Sequence, residues 1–299
     1  MSWKIFAELV ELKAKTASVF PFILGVSYAW YHYREVKWWA IGVFFVAMFL
    51  FNMAVDILDN YMDYHNATDV HDYREETNII GRENLSLPLV RRMMIGMIVV
   101  SAAIGIVLAS QTSWVILVLG IISYSVGIFY SAGPRPLSSL PVGEVASGVA
   151  MGFIIPLICV YLNVYDRQAF NWSFVGDVFL MSLPAVFAIA NLMLANNTCD
   201  LEEDELNERF TLVHYIGKNN AVRLFTFLAL APFVAASFSV AIGLVPWTVL
   251  GIWFVFRQVL TNTYAFRAKQ DKLTTFPLAI QNLAATMIGY ALFFVIGVI

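Results

Sequence analysis

The stretch NMAVDILDNYMDYHNATD, residues 52 to 69, places Asn52, Asp56, Asp59 or Asn60, and Asp63 at i, i+4, i+7 or i+8, and i+11. On a helix of 3.6 residues per turn these side chains share one face and form a column of oxygen ligands. A second stretch, NNTCDLEED, carries Asn196, Asp200 and Asp204 at a constant offset of 144 residues from Asn52, Asp56 and Asn60. Oxygen donors without a His or Cys cluster suit a hard cation. Mg²⁺ in particular takes one or two carboxylates and completes its shell with phosphate oxygens and water. Two such columns therefore predict a carboxylate–Mg²⁺–diphosphate bridge, with Asp56, Asp59, Asp63, Asp200 and Asp204 as the metal-holding and catalytic residues. Arg74, Arg82, Arg135, Arg209 and Lys218 are placed to meet phosphate oxygens that the metal leaves free, together with the amides of Asn52, Asn60, Asn196 and Asn197. The plain alternative, acids that only solvate helix ends, does not account for a pattern that occurs twice. The four histidines, His32, His65, His71 and His214, make no metal-binding spacing and read as interfacial. No Ser, Cys or His nucleophile stands out.

The elements that must carry these columns are membrane helices. The chain has 299 residues, 60% hydrophobic and 13% charged, with a mean hydropathy of +0.73, more apolar surface than a soluble globule can bury. Apolar runs of the length that spans about 30 Å of hydrocarbon fall at 16–32, 40–59, 93–110, 114–130, 144–165, 173–196, 221–243, 246–264 and 277–299, nine expected spans. With that count, all but Arg34, Lys37 and Arg167 of the eighteen lysines and arginines lie on or beside one face. The positive-inside bias then places the N-terminus and the long loops in the cytoplasm and the C-terminus outside. The lead-in MSWKIFAELVELKAKT is amphipathic and does not read as a cleavable signal peptide. Cys159 and Cys199 suggest neither a disulfide nor a metal site. The offset of 144 residues suggests two pseudo-repeated halves, about 1–140 and 141–299, within one integral membrane domain. The small residues of GVAMG, Gly148 to Gly152, read as a helix-packing signal.

With these residues in view, the chain resembles the UbiA superfamily of intramembrane aromatic prenyltransferases. Its hallmarks are motifs of the NDxxDxxxD and DxxxD type, matched here by LDNYMDYHNATD and NNTCDLEED. Three stretches are most similar to the 1,4-dihydroxy-2-naphthoate polyprenyltransferases of menaquinone synthesis: ELKAKTASVFPFILG, YSAGPRPLSSLPVGE, and NNxxDxxxD followed by RFTLVHYIG. The first motif departs from the family pattern in its inverted Asp59-Asn60 pair. Its frame stays open between Asn52–Asp56–Asn60, set by the repeat, and Asp59–Asn60–Asp63, set by the family wording. The resemblance implies an all-helical fold of nine transmembrane helices around a central cavity with a cytoplasmic cap. It implies Mg²⁺ as cofactor, and a polyprenyl diphosphate and an aromatic acid as substrates, joined with loss of CO₂ if the acceptor is the naphthoate. A 4-hydroxybenzoate-type acceptor is the alternative within the family. A divalent-cation transporter is the alternative from another class, and it predicts acids nearer the middle of the membrane with no basic shell. The partners expected are these substrates and the lipid bilayer, and no nucleic acid.

Overall fold

The structure, a computed structural model, describes residues 1–66, 75 and 77–299, and among these it is all-helical with no strand. By internal packing the chain forms two units, Met1–Lys15 with Trp38–Pro136, and Thr16–Lys37 with Leu137–Ile299. Each unit contains one of the two acidic motifs.

In the first unit, α1 (Trp3–Leu9) leads through a 3₁₀ turn (Leu12–Lys15). The long α3 (Trp38–Asn66), the short α4 (Ile79–Arg82), α5 (Leu87–Gln111) and α6 (Trp114–Ser131) follow. The 29 residues of α3 extend about 43 Å at 1.5 Å per residue, beyond the ~30 Å of the hydrocarbon layer. An apolar run crosses the membrane and its last turns overhang, so Asp56, Asp59 and Asp63 belong to one unbroken helix. The reverse side of these turns is apolar. Ile57 and Leu58 pack with Leu9, Val10, Ile79, Ile80, Val90 and Met94 in a buried cluster that fixes which face of α3 carries the acids.

The second unit contains α2 (Thr16–Tyr33), α7 (Gly143–Val149), a π-turn (Ala150–Ile154), α8 (Ile155–Val164) and α9 (Trp172–Cys199). It continues with α10 (Leu201–Leu206), α11 (Leu212–Ile216), α12 (Lys218–Ala241), α13 (Phe256–Ala268) and α14 (Phe276–Ile296). Leu194 and Ala195 near the end of α9 pack with Val213, Ala221, Phe225, Phe266 and Ala279, so this motif too has an apolar back. Gly148 and Gly152 carry no Cβ because α7 and the π-turn lie directly on α9. A Cβ at Gly148 would stand 2.8 Å from the Val186 carbonyl oxygen, and one at Gly152 2.6 Å from the Val186 nitrogen.

Among the described residues, seven helical stretches are long and apolar enough to cross a membrane, and the chain is a multi-pass membrane protein. They coincide with seven of the nine expected spans. The other two expected stretches are helical but differ in kind. The first, α2, closes on the weakly apolar run Tyr28–Tyr33. The stretch expected at 246–264 divides into a 3₁₀ helix, Trp247–Val255, and the polar-faced α13.

Candidate active site

The first column gathers around a lysine. Lys15, 5% exposed, directs its ammonium at Asp56 Oδ2 in a direct ion pair and at the Asn52 carbonyl oxygen, 3.3 Å away. Ser131 Oγ at the end of α6 donates to Asp59 Oδ1 at 2.5 Å. Asn60 spends its Nδ2 locally, on the Asp56 carbonyl at 3.0 Å and the Leu9 carbonyl at 3.5 Å. Its own carbonyl accepts from Asn78 Nδ2 at 2.9 Å. Asn60 therefore ties the polar end of α3 to α1 and to the α4 cap. Asp63 lies one turn beyond Asp59 on the same helix, half-buried.

The second column repeats the central feature. Lys272 forms a direct ion pair with Asp200 Oδ2 and donates to Asn196 Oδ1 at 2.7 Å. In both motifs, then, an ammonium lies on the Asp and on an oxygen of the residue four positions before it, the main-chain carbonyl of Asn52 in the first and the side-chain Oδ1 of Asn196 in the second. One detail corrects the sequence reading of an unbroken helical column. α9 ends at Cys199, and Asp200 is both its C-cap and the N-cap of α10, with φ −96° and ψ 8°. Aspartate favours such cap positions because its short side chain competes with the helical ladder. The bond from Asp204 N to the Asp200 carbonyl, 2.7 Å, still keeps the two residues one turn apart.

Asp204 is buried, with Arg209 Nε 3.3 Å from its Oδ1. Its Oδ2 is sealed and has no hydrogen-bond partner. Burial pushes the Asp204 carboxyl up to about 6, against the opposing pull of the Arg209 charge. Asn197 donates through Nδ2 to Oε1 of Glu144, 2.9 Å away. Glu144 belongs to the membrane-crossing stretch Gly143–Val164 and is 3% exposed, and its Oε2 has no partner. Glu144 is the second residue of that stretch, in the first turn of α7, where the N-terminal end of the helix dipole favours a carboxylate, and its bond to Asn197 satisfies only one of its two oxygens.

Three of the expected phosphate ligands are held in local ion pairs. Arg82 forms an ion pair with Glu8 and a longer one with Glu83 Oε1 at 3.6 Å. Lys218 pairs with Glu202 Oε1 at 3.0 Å and Arg209 with Asp204. Arg135 is exposed, and Arg74 lies outside the described residues, as do Asp69, Asp72 and His71. The other histidines are committed: His32 to the Leu244 carbonyl, His65 to the Tyr61 carbonyl and His214 to Glu205 Oε1. Lys15, Ser131, Glu144 and Lys272 enter the site from outside the sequence-based set, which treated the two lysines only as markers of the inner face.

No three His, Cys, Asp or Glu side chains converge into a metal cage among the described residues. The donor set nevertheless fits Mg²⁺. Its oxygens already hold cationic ammonium groups, and the sealed Oδ2 of Asp204 lacks a partner. An ion that takes one or two carboxylates and fills its shell with phosphate and water needs no complete cage.

Comparison with known proteins bears on the family and the fold. The model of the UbiA prenyltransferase family matches residues 18–295. The 1,4-dihydroxy-2-naphthoate octaprenyltransferase of Bacillus subtilis (strain 168) is 24% identical over 238 residues, which cover 80% of this chain and 71% of that protein. A UbiA homologue from Aeropyrum pernix K1 superposes with a TM-score of 0.68 at 14% identity, over 91% of this chain and 96% of the other. A UbiA homologue from Archaeoglobus fulgidus, whose structure contains GPP and Mg²⁺, gives a TM-score of 0.61 at 12% identity, over 96% and 99% of the two chains.

Proposed function

The chain belongs to the UbiA prenyltransferase family, and on that premise we propose that it joins a polyprenyl group to 1,4-dihydroxy-2-naphthoate with loss of CO₂, using Mg²⁺. The observation that supports the reading is that each acid column has an aspartate, Asp56 or Asp200, in direct contact with a lysine ammonium. The choice of acceptor rests on the likeness to the Bacillus subtilis enzyme, and the choice of metal on the oxygen-only donor set and the Mg²⁺ in the Archaeoglobus fulgidus homologue.

Asp56, Asp59, Asp63, Asp200 and Asp204 are the proposed metal ligands, and Mg²⁺ bound there supplies charge neutralisation for the diphosphate leaving group. The chain's own groups do the rest. The Lys15 and Lys272 ammonium groups lie against the carboxylates and reach phosphate oxygens by rotation of a flexible stem. Asn52, Asn60 and Asn196 line the same columns, and Arg74, Arg82, Arg135, Arg209 and Lys218 supply the further positive charge that a diphosphate needs. As the bond from prenyl C1 to oxygen breaks, its electron pair leaves with the diphosphate and C1 becomes an allylic cation. Tyr61, Tyr64 and Tyr130 offer ring faces to that charge. A ring carbon of the acceptor then bonds to C1, and the acceptor carboxylate leaves as CO₂. The long loops and the N-terminus are assigned to the cytoplasm, where both water-soluble products are released.

The test uses purified protein in lipid with naphthoate labelled at its carboxyl carbon. Diphosphate and labelled CO₂ should appear in equal amounts and stop on addition of a chelator. Diphosphate release without CO₂ would restrict the acceptor to another aromatic, and indifference to the chelator would refute the metal role.

A further inference from the structure

The two adjacent asparagines at the end of α9 present opposite ends of their amides. Asn196 Oδ1 accepts from Lys272, which leaves its NH₂ group for a ligand. Asn197 Nδ2 donates to Glu144 Oε1 at 2.9 Å, and no described residue donates to its Oδ1. Because Glu144 accepts, the amide nitrogen of Asn197 must face it and the carbonyl must point the other way. An ionised diphosphate offers only acceptor oxygens, so it can hydrogen-bond to Asn196 but not to the carbonyl of Asn197. That carbonyl requires a donor, such as a hydroxyl.

We propose that Glu144 is a positioning residue that acts through Asn197, turning its carbonyl to receive a hydroxyl of the hydroxylated aromatic acceptor, while Asn196 serves the diphosphate. The inference rests on the prenyl-transfer reading for the nature of the ligand, and it reassigns Asn197 from the diphosphate to the acceptor. The packing around Glu144 supports it. Gly148 and Gly152, one and two turns along from Glu144, bring α7 and the π-turn onto the α9 backbone. That close approach lets a short carboxyl side chain span to Asn197. π-turns of this kind are frequent at functional sites. The neighbouring Asn–Asp pair that holds Lys272 begins one residue before Asn197.

The test is equilibrium binding to the full chain in detergent, read by quenching of tryptophan fluorescence, with 4-hydroxy-2-naphthoate and with 2-naphthoate, which lacks the hydroxyl. Wild-type protein should favour the hydroxylated ligand about tenfold, on the order of one hydrogen bond. Glu144→Ala and Asn197→Ala should both reduce that ratio to about one and leave geranyl diphosphate affinity unchanged. Glu144→Gln keeps a carbonyl for the Asn197 amide and should retain the preference. Equal binding of the two naphthoates by wild-type protein would overturn the proposal. So would a preference that survives both alanine substitutions, or a loss in them that extends equally to geranyl diphosphate. If Glu144→Ala does not insert, Asn197→Ala, which leaves the acid in place, gives the same decision. The ratio is read without turnover. A preserved hydroxyl preference in a protein that forms no prenylated product would end the transfer reading and leave this one standing.

Discussion

Lys15 precedes its aspartate by 41 residues and Lys272 follows its own by 72, yet both end in the same kind of contact. The carboxylates were legible in the sequence because helical spacing and the repeat select them. The lysines were not, since they share no interval with the motif and stand in loops already rich in basic residues. A lysine ammonium is a compact charge on a flexible stem and can move from carboxylate to phosphate when a metal binds. Lys272→Ala should therefore raise KM for the diphosphate donor several-fold more than KM for the acceptor, measured in steady-state assays. Asp200→Ala and Asp63→Ala should each reduce kcat by about 10²-fold or more, the scale seen when a transition-state charge loses a stabilising group, while the protein still inserts. Asp204 separates stability from activity. Its sealed, unpartnered oxygen is a burden that Asp204→Asn relieves, so that variant should unfold at a higher temperature in chelator and turn over far more slowly. A lower unfolding temperature would show that the Arg209 pair outweighs the burial.

Two helices longer than the hydrocarbon layer is thick lead to the two acidic motifs. α3 has 29 residues and α9 has 28, about 42 to 43 Å at 1.5 Å per residue, so each can cross about 30 Å of hydrocarbon with turns to spare. Hydropathy located these crossings, but it placed the polar end of α3 at residue 59, because acids end an apolar run without ending a helix. It also read 246–264 as one span. There Pro246 opens a nine-residue 3₁₀ helix, a length reached only because tertiary packing overrides the poorer hydrogen-bond geometry. The Gly148–Gly152 signal did correspond to close packing. Gly152→Ala would drive a Cβ to 2.6 Å from the Val186 nitrogen and should cost about 1 to 3 kcal/mol as overpacking. Gly42→Ala, on α3 with nothing within 4 Å of the added atom, should leave the unfolding midpoint nearly unchanged. Equal effects of the two substitutions would mean that the α7–α9 approach is not what holds this unit together.

At the scale of the whole chain, composition alone identified a helical membrane protein, and the aspartate motifs led to its family. The proposed acceptor contact was not legible, because the Glu144–Asn197 pairing it rests on spans 53 residues and leaves no spacing signature. The proposed orientation has its own check, in a chain whose native cysteines are replaced. Leu273→Cys should react with a membrane-impermeant maleimide only in inverted vesicles, and Arg167→Cys only in intact cells; the reverse pattern would invert the topology. The central claim, that paired acid columns direct a prenyl group onto an aromatic ring, is tested most directly by product mass. Purified protein in lipid is given Mg²⁺, a polyprenyl diphosphate and a panel of aromatic acids. A product with the mass of 1,4-dihydroxy-2-naphthoate plus the prenyl chain minus CO₂ is the predicted result. Absence of prenylated product from every acceptor, with Mg²⁺ flux in the same liposomes, would contradict it.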